Sequence, residues 1–118
     1  MRSTGARYED IALAHAERNG LRLVARNFNC RYGELDLVMC DGDVLAFIEV
    51  RYRRGHGFGG AVASVGASKR ARLVAAARMF LQMHPQWVHH ACRFDVVAIG
   101  GVAGHPTIEW LRDAFRTD

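Results

Sequence analysis

Apolar positions recur along the chain with two spacings, and their order sets out the elements. Tyr8, Ala12, Leu13 and Ala16 form a stripe at helical spacing over residues 5–19, with Ser3 or Thr4 as a cap and Asn19-Gly20 as a stop. Residues 21–28, LRLVARNF, alternate apolar and basic and predict a half-buried strand. Two apolar runs, 33–40 and 44–52, flank Asp41-Gly42-Asp43 and predict a β-hairpin. The four glycines between Arg54 and Gly60 predict a mobile loop. Helical spacing returns over 68–84, with Leu73, Val74, Ala77, Phe80 and Leu81 as its inner face and Pro85 as its stop. RFDVVAIG (93–100) predicts a further strand, and TIEWLRDAF (107–115) reads equally as a strand or a terminal helix. The order αβββαβ with a C-terminal extra predicts an α/β fold, a mixed sheet flanked by helices. At 118 residues, one domain spanning 1–118 is expected.

The hairpin carries acids where an ordinary strand has none. A two-residue loop, whether Gly42-Asp43 or Asp41-Gly42, places Glu34, Asp36, Glu49 and Arg51 on one face, because side chains alternate along a strand. With Gly42-Asp43 as the loop, Asp36 lies opposite Glu49. Like charges so placed destabilise a ladder by about 0.2–1 kcal/mol, and by more when the face is buried. A cation between them would turn that repulsion into a binding site. Glu34 fits a third ligand, a supporting partner or a structural cap. Glu9 falls on the apolar stripe of the first helix, where an inward acid needs a partner, unless it snorkels at the stripe's edge or pairs with an arginine such as Arg7 or Arg26.

Charge adds a second constraint. The net charge is +4 and the pI about 9.4, and fifteen of the sixteen basic residues are arginine, the exception being Lys69. Lys69, Arg70 and Arg72 crowd the first turn of the second helix, where the helix dipole already favours negative charge. With Arg51, Arg53, Arg54 and His56 just upstream, the cluster suits an approaching phosphate. No apolar run approaches the roughly 18 residues of a membrane span, and residues 1–20 lack the continuous apolar centre of a signal peptide, so a cytoplasmic protein is expected.

Other chemistry is weaker. Cys30, Cys40 and Cys92 show no CxxC spacing, which disfavours a zinc site or disulfide framework, and Cys40 reads as an apolar filler. His84, His89, His90 and His105 have no carboxylate at ligand spacing and read as loop or surface residues. GHGFGG matches neither a Walker loop nor a dinucleotide fingerprint. Asp95 is expected to pair with an arginine, and Trp87, Trp110 and Phe115 to serve packing.

GELDLV (33–38), FIEVR (47–51), FGGA (58–61), SKRARL (68–73) around Lys69 and RFDVV (93–97) together resemble the YraN-type family of bacterial uncharacterised proteins. The opening GARYEDIALAHAERNGLRLVARNFNCRYGELD is similar to that family's beginning. The family in turn resembles the restriction-endonuclease-like nucleases with a PD-(D/E)xK core, most closely the archaeal Holliday-junction resolvases. The resemblance implies a restriction-endonuclease-like fold and metal-dependent hydrolysis of phosphodiesters in DNA, at branched, flapped or single-stranded regions, by a possible homodimer. It implies that Glu9 is the acid of the first helix, Asp36 the metal-binding aspartate and Glu49 the glutamate of the ExK element, with Mg²⁺ or Mn²⁺ at Asp36 and Glu49. The expected lysine is replaced by Arg51, a guanidinium that stays protonated and cannot act as a base. Arg51 could instead clamp phosphate, and Lys69 could supply the missing amine. Arg51, Arg53, Arg54, Lys69, Arg70 and Arg72 are the expected nucleic-acid contacts. A non-catalytic nucleic-acid-binding or assembly module that keeps the fold is the alternative.

Overall fold

A computed structural model describes residues 4–52, 65–102 and 105–116. Helix α1 (Thr4–Arg18) leads into strands β1 (Arg22–Cys30), β2 (Gly33–Asp41) and β3 (Val44–Tyr52). Helix α2 (Ala67–Met83) and a short 3-10 turn (Pro85–Trp87) precede β4 (Ala91–Val102) and β5 (His105–Phe115). The five strands lie side by side in chain order. Every neighbouring pair is antiparallel except β3 and β4, which run parallel, as a crossover through α2 requires. The fold is therefore α/β with a mixed sheet. Among the described residues, no helix is long and apolar enough to cross a membrane.

The two helices cover opposite faces. Ala12 and Ala16 of α1 pack on Leu37, Met39, Ala46, Ile48, Val97 and Ile99. Leu73, Ala76, Ala77 and Phe80 of α2 pack on Val38, Leu45, Phe47, Phe94 and Val96. Alternate residues of β2, β3 and β4 thus feed two cores, and these central strands are apolar on both faces. Alanines on the inner face of each helix let it lie close to the sheet. The 107–115 segment resolves to a strand because its residues pair with β4 along most of its length. Asp113, at φ 54, marks a bulge in β5 that leaves the strand register shifted between Phe94 and Val96.

The hairpin register pairs Asp41 with Val44 and Leu37 with Ile48, so Gly42-Asp43 is the loop, with Gly42 in the left-handed region at φ 58. Strict alternation breaks beside this hairpin. Leu35 packs on the α2 side while Leu37 packs on the α1 side, although two residues apart they should share a face. The partner strand does the same: Arg26 bonds to α1, whereas Phe28 packs edge-on against Phe80 of α2. Between them lies Asn27 at φ 56, aligned with Asp36 in the register. Alternation therefore fails between Leu35 and Leu37, yet Glu34 and Asp36 still come together. It is a twist of both strands, centred on Asn27, that accompanies the meeting of their acids with α1.

Asp95 is fully buried. Arg93 Nε lies 3.0 and 3.1 Å from its two oxygens, Trp110 Nε1 donates at 3.0 Å, and the Asp113 amide donates at 2.9 Å. The expected arginine partner is thus Arg93 two positions earlier on the same strand, and Arg93 also reaches Asp41 at 2.9 Å. The bulge at Asp113 turns the edge strand so that its amide meets this carboxylate. Removing one member of such a network strands the others. Asp95→Ala is expected to lose about 3–5 kcal/mol of unfolding free energy in urea titration, whereas Arg116→Ala, an exposed ion pair, stays within about 0.5 kcal/mol.

Candidate metal centre

The centre forms where the twisted end of β1 and β2 meets the first turns of α1 and α2. Continuing the hairpin register one pair past Leu37 and Ile48 brings Asp36 alongside Glu49. The two carboxyl groups are close enough for each to act on the other. The Val50 amide donates to Asp36 Oδ2 at 2.9 Å. Burial, then the charge of Glu49, pushes the Asp36 carboxyl up to about 8, against the pull of the Val50 amide. Glu49 is only 5 % exposed, which is untenable for an isolated carboxylate. Lys69 Nζ of α2 stands 3.2 Å from Glu49 Oε2, and Arg51 NH1 stands 3.4 Å from the same oxygen.

Glu9 enters from α1. It keeps company with Arg26, whose Nε is 3.5 Å from Glu9 Oε1 and whose other end grips Asp10 at 2.7 Å and the Ala6 carbonyl at 3.1 Å. Burial raises the Glu9 carboxyl above its ordinary value despite that cation. Of the two arginines the sequence offered as partners, it is Arg26 that is paired. Single oxygens of Glu9, Glu34 and Asp36 lie within 4.8 Å of one another, and this is the grouping of three potential ligands among the described residues. Asn27, with its amide nitrogen turned toward the acids, donates to Glu9 at 2.8 Å and to Glu34 at 3.1 Å. Tyr8 stacks on Tyr52 with ring centres 4.4 Å apart, which fixes the turn bearing Glu9 against the strand bearing Arg51.

The donor set fits a hard divalent cation. Mg²⁺ and Mn²⁺ take oxygen ligands, commonly one or two carboxylates with water and phosphate completing the shell. Asp36 and Glu49 supply two such oxygens already in contact, and Glu9 and Glu34 stand beside Asp36.

The chain matches the model of Uncharacterised protein family UPF0102 over residues 8–99. A UPF0102 protein of Stutzerimonas stutzeri is 50% identical over 115 residues, covering 98% of this chain and 96% of that protein. One from Ectopseudomonas mendocina is 53% identical over 111 residues, 94% of this chain and 92% of its own length, and one from Pseudomonas aeruginosa is 46% identical over 116 residues, 97% and 93%. The chain belongs to this family. The span matched to UPF0102 takes in Glu9, Glu34, Asp36, Glu49, Arg51 and Lys69, and it ends before β5 begins.

Other residues of this UPF0102 chain singled out by sequence fall variously. Arg70 Nε donates to the Val65 carbonyl at 2.8 Å and its guanidinium lies over Phe115, so it braces the start of α2. Arg72 is exposed beside Ser68. Arg53, Arg54, His56, the glycine loop and Ser3 lie outside the described residues. His84 bonds to the Phe80 carbonyl at 2.9 Å and stacks on that ring, a packing role. Cys40 is buried, and Phe115 is core while Trp87 and Trp110 pack beside it. Sequence reasoning missed Asn27 and Tyr52. The only trace of Asn27 was a polar residue interrupting an apolar strand.

The raised Asp36 carboxyl sets a pH dependence. A folded-state value above the ordinary 3.8 makes the metal-free folded protein hold a proton that the unfolded chain releases. The contribution is full below about 3.8 and is lost as pH rises through about 8. In thermal denaturation with chelator, the stability of the wild type is expected to fall more steeply between these limits than that of Asp36→Asn. Parallel curves for the two proteins would contradict the assignment.

Proposed function

We propose that this UPF0102 chain is a divalent-metal-dependent endonuclease that hydrolyses phosphodiester bonds of DNA at branched, flapped or single-stranded regions, in the cytoplasm. The observation that carries the reading is the contact between Asp36 and Glu49 with Lys69 at hydrogen-bonding distance from the second. Paired buried carboxylates without a cation are an unfavourable arrangement, and a site for Mg²⁺ or Mn²⁺ gives them a purpose.

A bound divalent cation would supply positive charge at the phosphodiester and a more acidic water. Asp36 and Glu49 would hold it, with Glu9 and Glu34 at hand on the α1 side. The Val50 amide fixes the Asp36 carboxylate, and Tyr8 on Tyr52 fixes the approach of Glu9. Arg51 stays protonated, so its part is to bind non-bridging phosphate oxygens through a fork that matches their geometry. The Lys69 amine reaches the site from α2 rather than from β3. There it stands where the ExK lysine would otherwise be needed, able to orient a water or shield charge on the leaving oxygen. Two copies would place two such centres on the two strands of a junction.

Arg51 itself favours a second reading, a nucleic-acid-binding or assembly module that retains the fold without turnover. The two separate cleanly. Labelled junctions, flaps and single strands incubated with Mg²⁺ or Mn²⁺ are expected to be cut by wild type and left intact by Asp36→Ala and Glu49→Ala. Lys69→Met is expected to cut about 100-fold more slowly or worse. Under the second reading wild type cuts nothing, and Asp36→Ala binds DNA as wild type does.

A further inference from the structure

A groove leaves the carboxylate cluster between the β1–β2 turn and α2. Its inner part is lined by Tyr32, Gly33, Glu34, Lys69, Arg72 and Leu73. A second cavity of about 260 Å³ beside it is bounded by Arg31, Tyr32, Ala75, Arg78, Met79 and Gln82. Tyr32 lines both, so the two adjoin along α2. Positions 69, 72, 75, 79 and 82 recur every three or four residues and so lie along one side of α2. At 1.5 Å per residue, Lys69 and Arg78 are separated by about 14 Å along the helix axis.

The lining has the chemistry of a single-strand track. Arg31, Arg72 and Arg78 are exposed cations on its walls. The lone acid of the two linings, Glu34, sits at the inner end with the other carboxylates. Arg31 NH2 donates to the Tyr32 hydroxyl at 2.8 Å, and its guanidinium carbon lies 4.9 Å from the centre of the Tyr32 ring. That pair sets a cation against an aromatic ring, and unpaired bases stack on aromatic rings and on guanidinium planes. Apolar Ala75 and Met79 form the floor on the α2 side. A duplex has its bases already stacked inward, so a ledge of this kind is of use only to an unpaired strand. Positive walls following a backbone, with an aromatic platform among them, are the general means of holding single-stranded nucleic acid.

We infer that the groove between the Arg31-Tyr32 turn and α2 binds a single-stranded segment of nucleic acid running away from the Asp36–Glu49 centre, with Arg31 on Tyr32 stacking a base and Arg72 and Arg78 contacting phosphates. The inference rests on the nuclease reading for its direction and deepens it. The substrate then carries an unpaired arm next to the phosphodiester at the centre. Arg31, Tyr32 and Arg78 become specificity-determining residues although none touches the carboxylates.

Fluorescence anisotropy with chelator present, so that nothing is cut, tests the groove apart from the chemistry. Labelled oligo-dT, oligo-rU and a blunt duplex are titrated with the full chain at several salt concentrations. Arg72→Ala and Arg78→Ala are each expected to weaken single-strand binding and to lower the salt slope by about 0.7 per lost phosphate contact, and Arg31→Ala to weaken binding through the lost stacking surface. Arg18→Ala, an exposed arginine on α1 at the other face of the sheet, should leave both unchanged. Tyr32→Leu should weaken single-strand binding about fivefold or more, and Tyr32→Phe should stay near wild type, since the ring under Arg31 remains. A difference between oligo-dT and oligo-rU in affinity that is lost in Tyr32→Leu supports the groove. Groove variants that match Arg18→Ala overturn the inference, as do a wild type that binds duplex alone or no strand at all. Cleavage in Mg²⁺ that survives with groove variants unaffected in binding sinks the groove and spares the nuclease reading. Weakened single-strand binding in a protein that cuts nothing does the reverse.

Discussion

The β2–β3 register is the constraint on which the rest depends. Leu37, Val38 and Met39 on one strand and Ala46, Phe47 and Ile48 on the other are all buried, some against α1 and some against α2. A slip of one residue would send each of them to the wrong core. Burial of apolar surface at about 25 cal/mol per Å² therefore holds the register far more firmly than the repulsion of two acids can disturb it. Asp36 and Glu49 are kept in contact by a hairpin that has no other way to pair. The protein answers by bringing Lys69 and Arg51 to Glu49.

The neighbouring elements meet at that point. Helix α1 is tied down by its alanines and by Tyr8 on Tyr52, and so delivers Glu9 to the same end of the sheet. Helix α2 is braced by Arg70 against Val65 and Phe115, and its next-door residue Lys69 faces the acids. The crossover that makes β3 and β4 parallel is thus also what carries an amine to the site from outside the hairpin. In β4, Asp95 is a buried acid of another kind, held by Arg93, Trp110 and the Asp113 amide. The contrast between Asp95 and Asp36 separates a structural carboxylate from one that lacks sufficient partners.

Much of this was legible in the sequence. The element order and a two-residue turn within Asp41-Gly42-Asp43 follow from alternation and turn chemistry, because those depend on neighbours in the chain, while the register decides for Gly42-Asp43 and so sets Asp36 against Glu49. Glu9 on an apolar stripe was likewise a local anomaly. The inversion at Asn27 was not legible, since a left-handed strand residue that is not glycine gives little compositional signal. Nor was the state of 107–115, whose pattern suits an edge strand or a helix until β4 is there to pair with it. The reach of Lys69 to Glu49 depends on how α2 docks, and the groove beside Tyr32 depends on the packing of the β1–β2 turn against that helix. Those are tertiary facts, and only the uniqueness of Lys69 hinted at one of them.

The central claim is that the opposed acids of the hairpin form a divalent cation site. Crystals soaked in Mn²⁺ and measured near the manganese absorption edge test it directly. The account predicts an anomalous-difference peak on the Asp36 and Glu49 carboxylates, absent from Asp36→Asn crystals treated alike. Manganese bound only elsewhere, or no peak at saturating Mn²⁺, would contradict it.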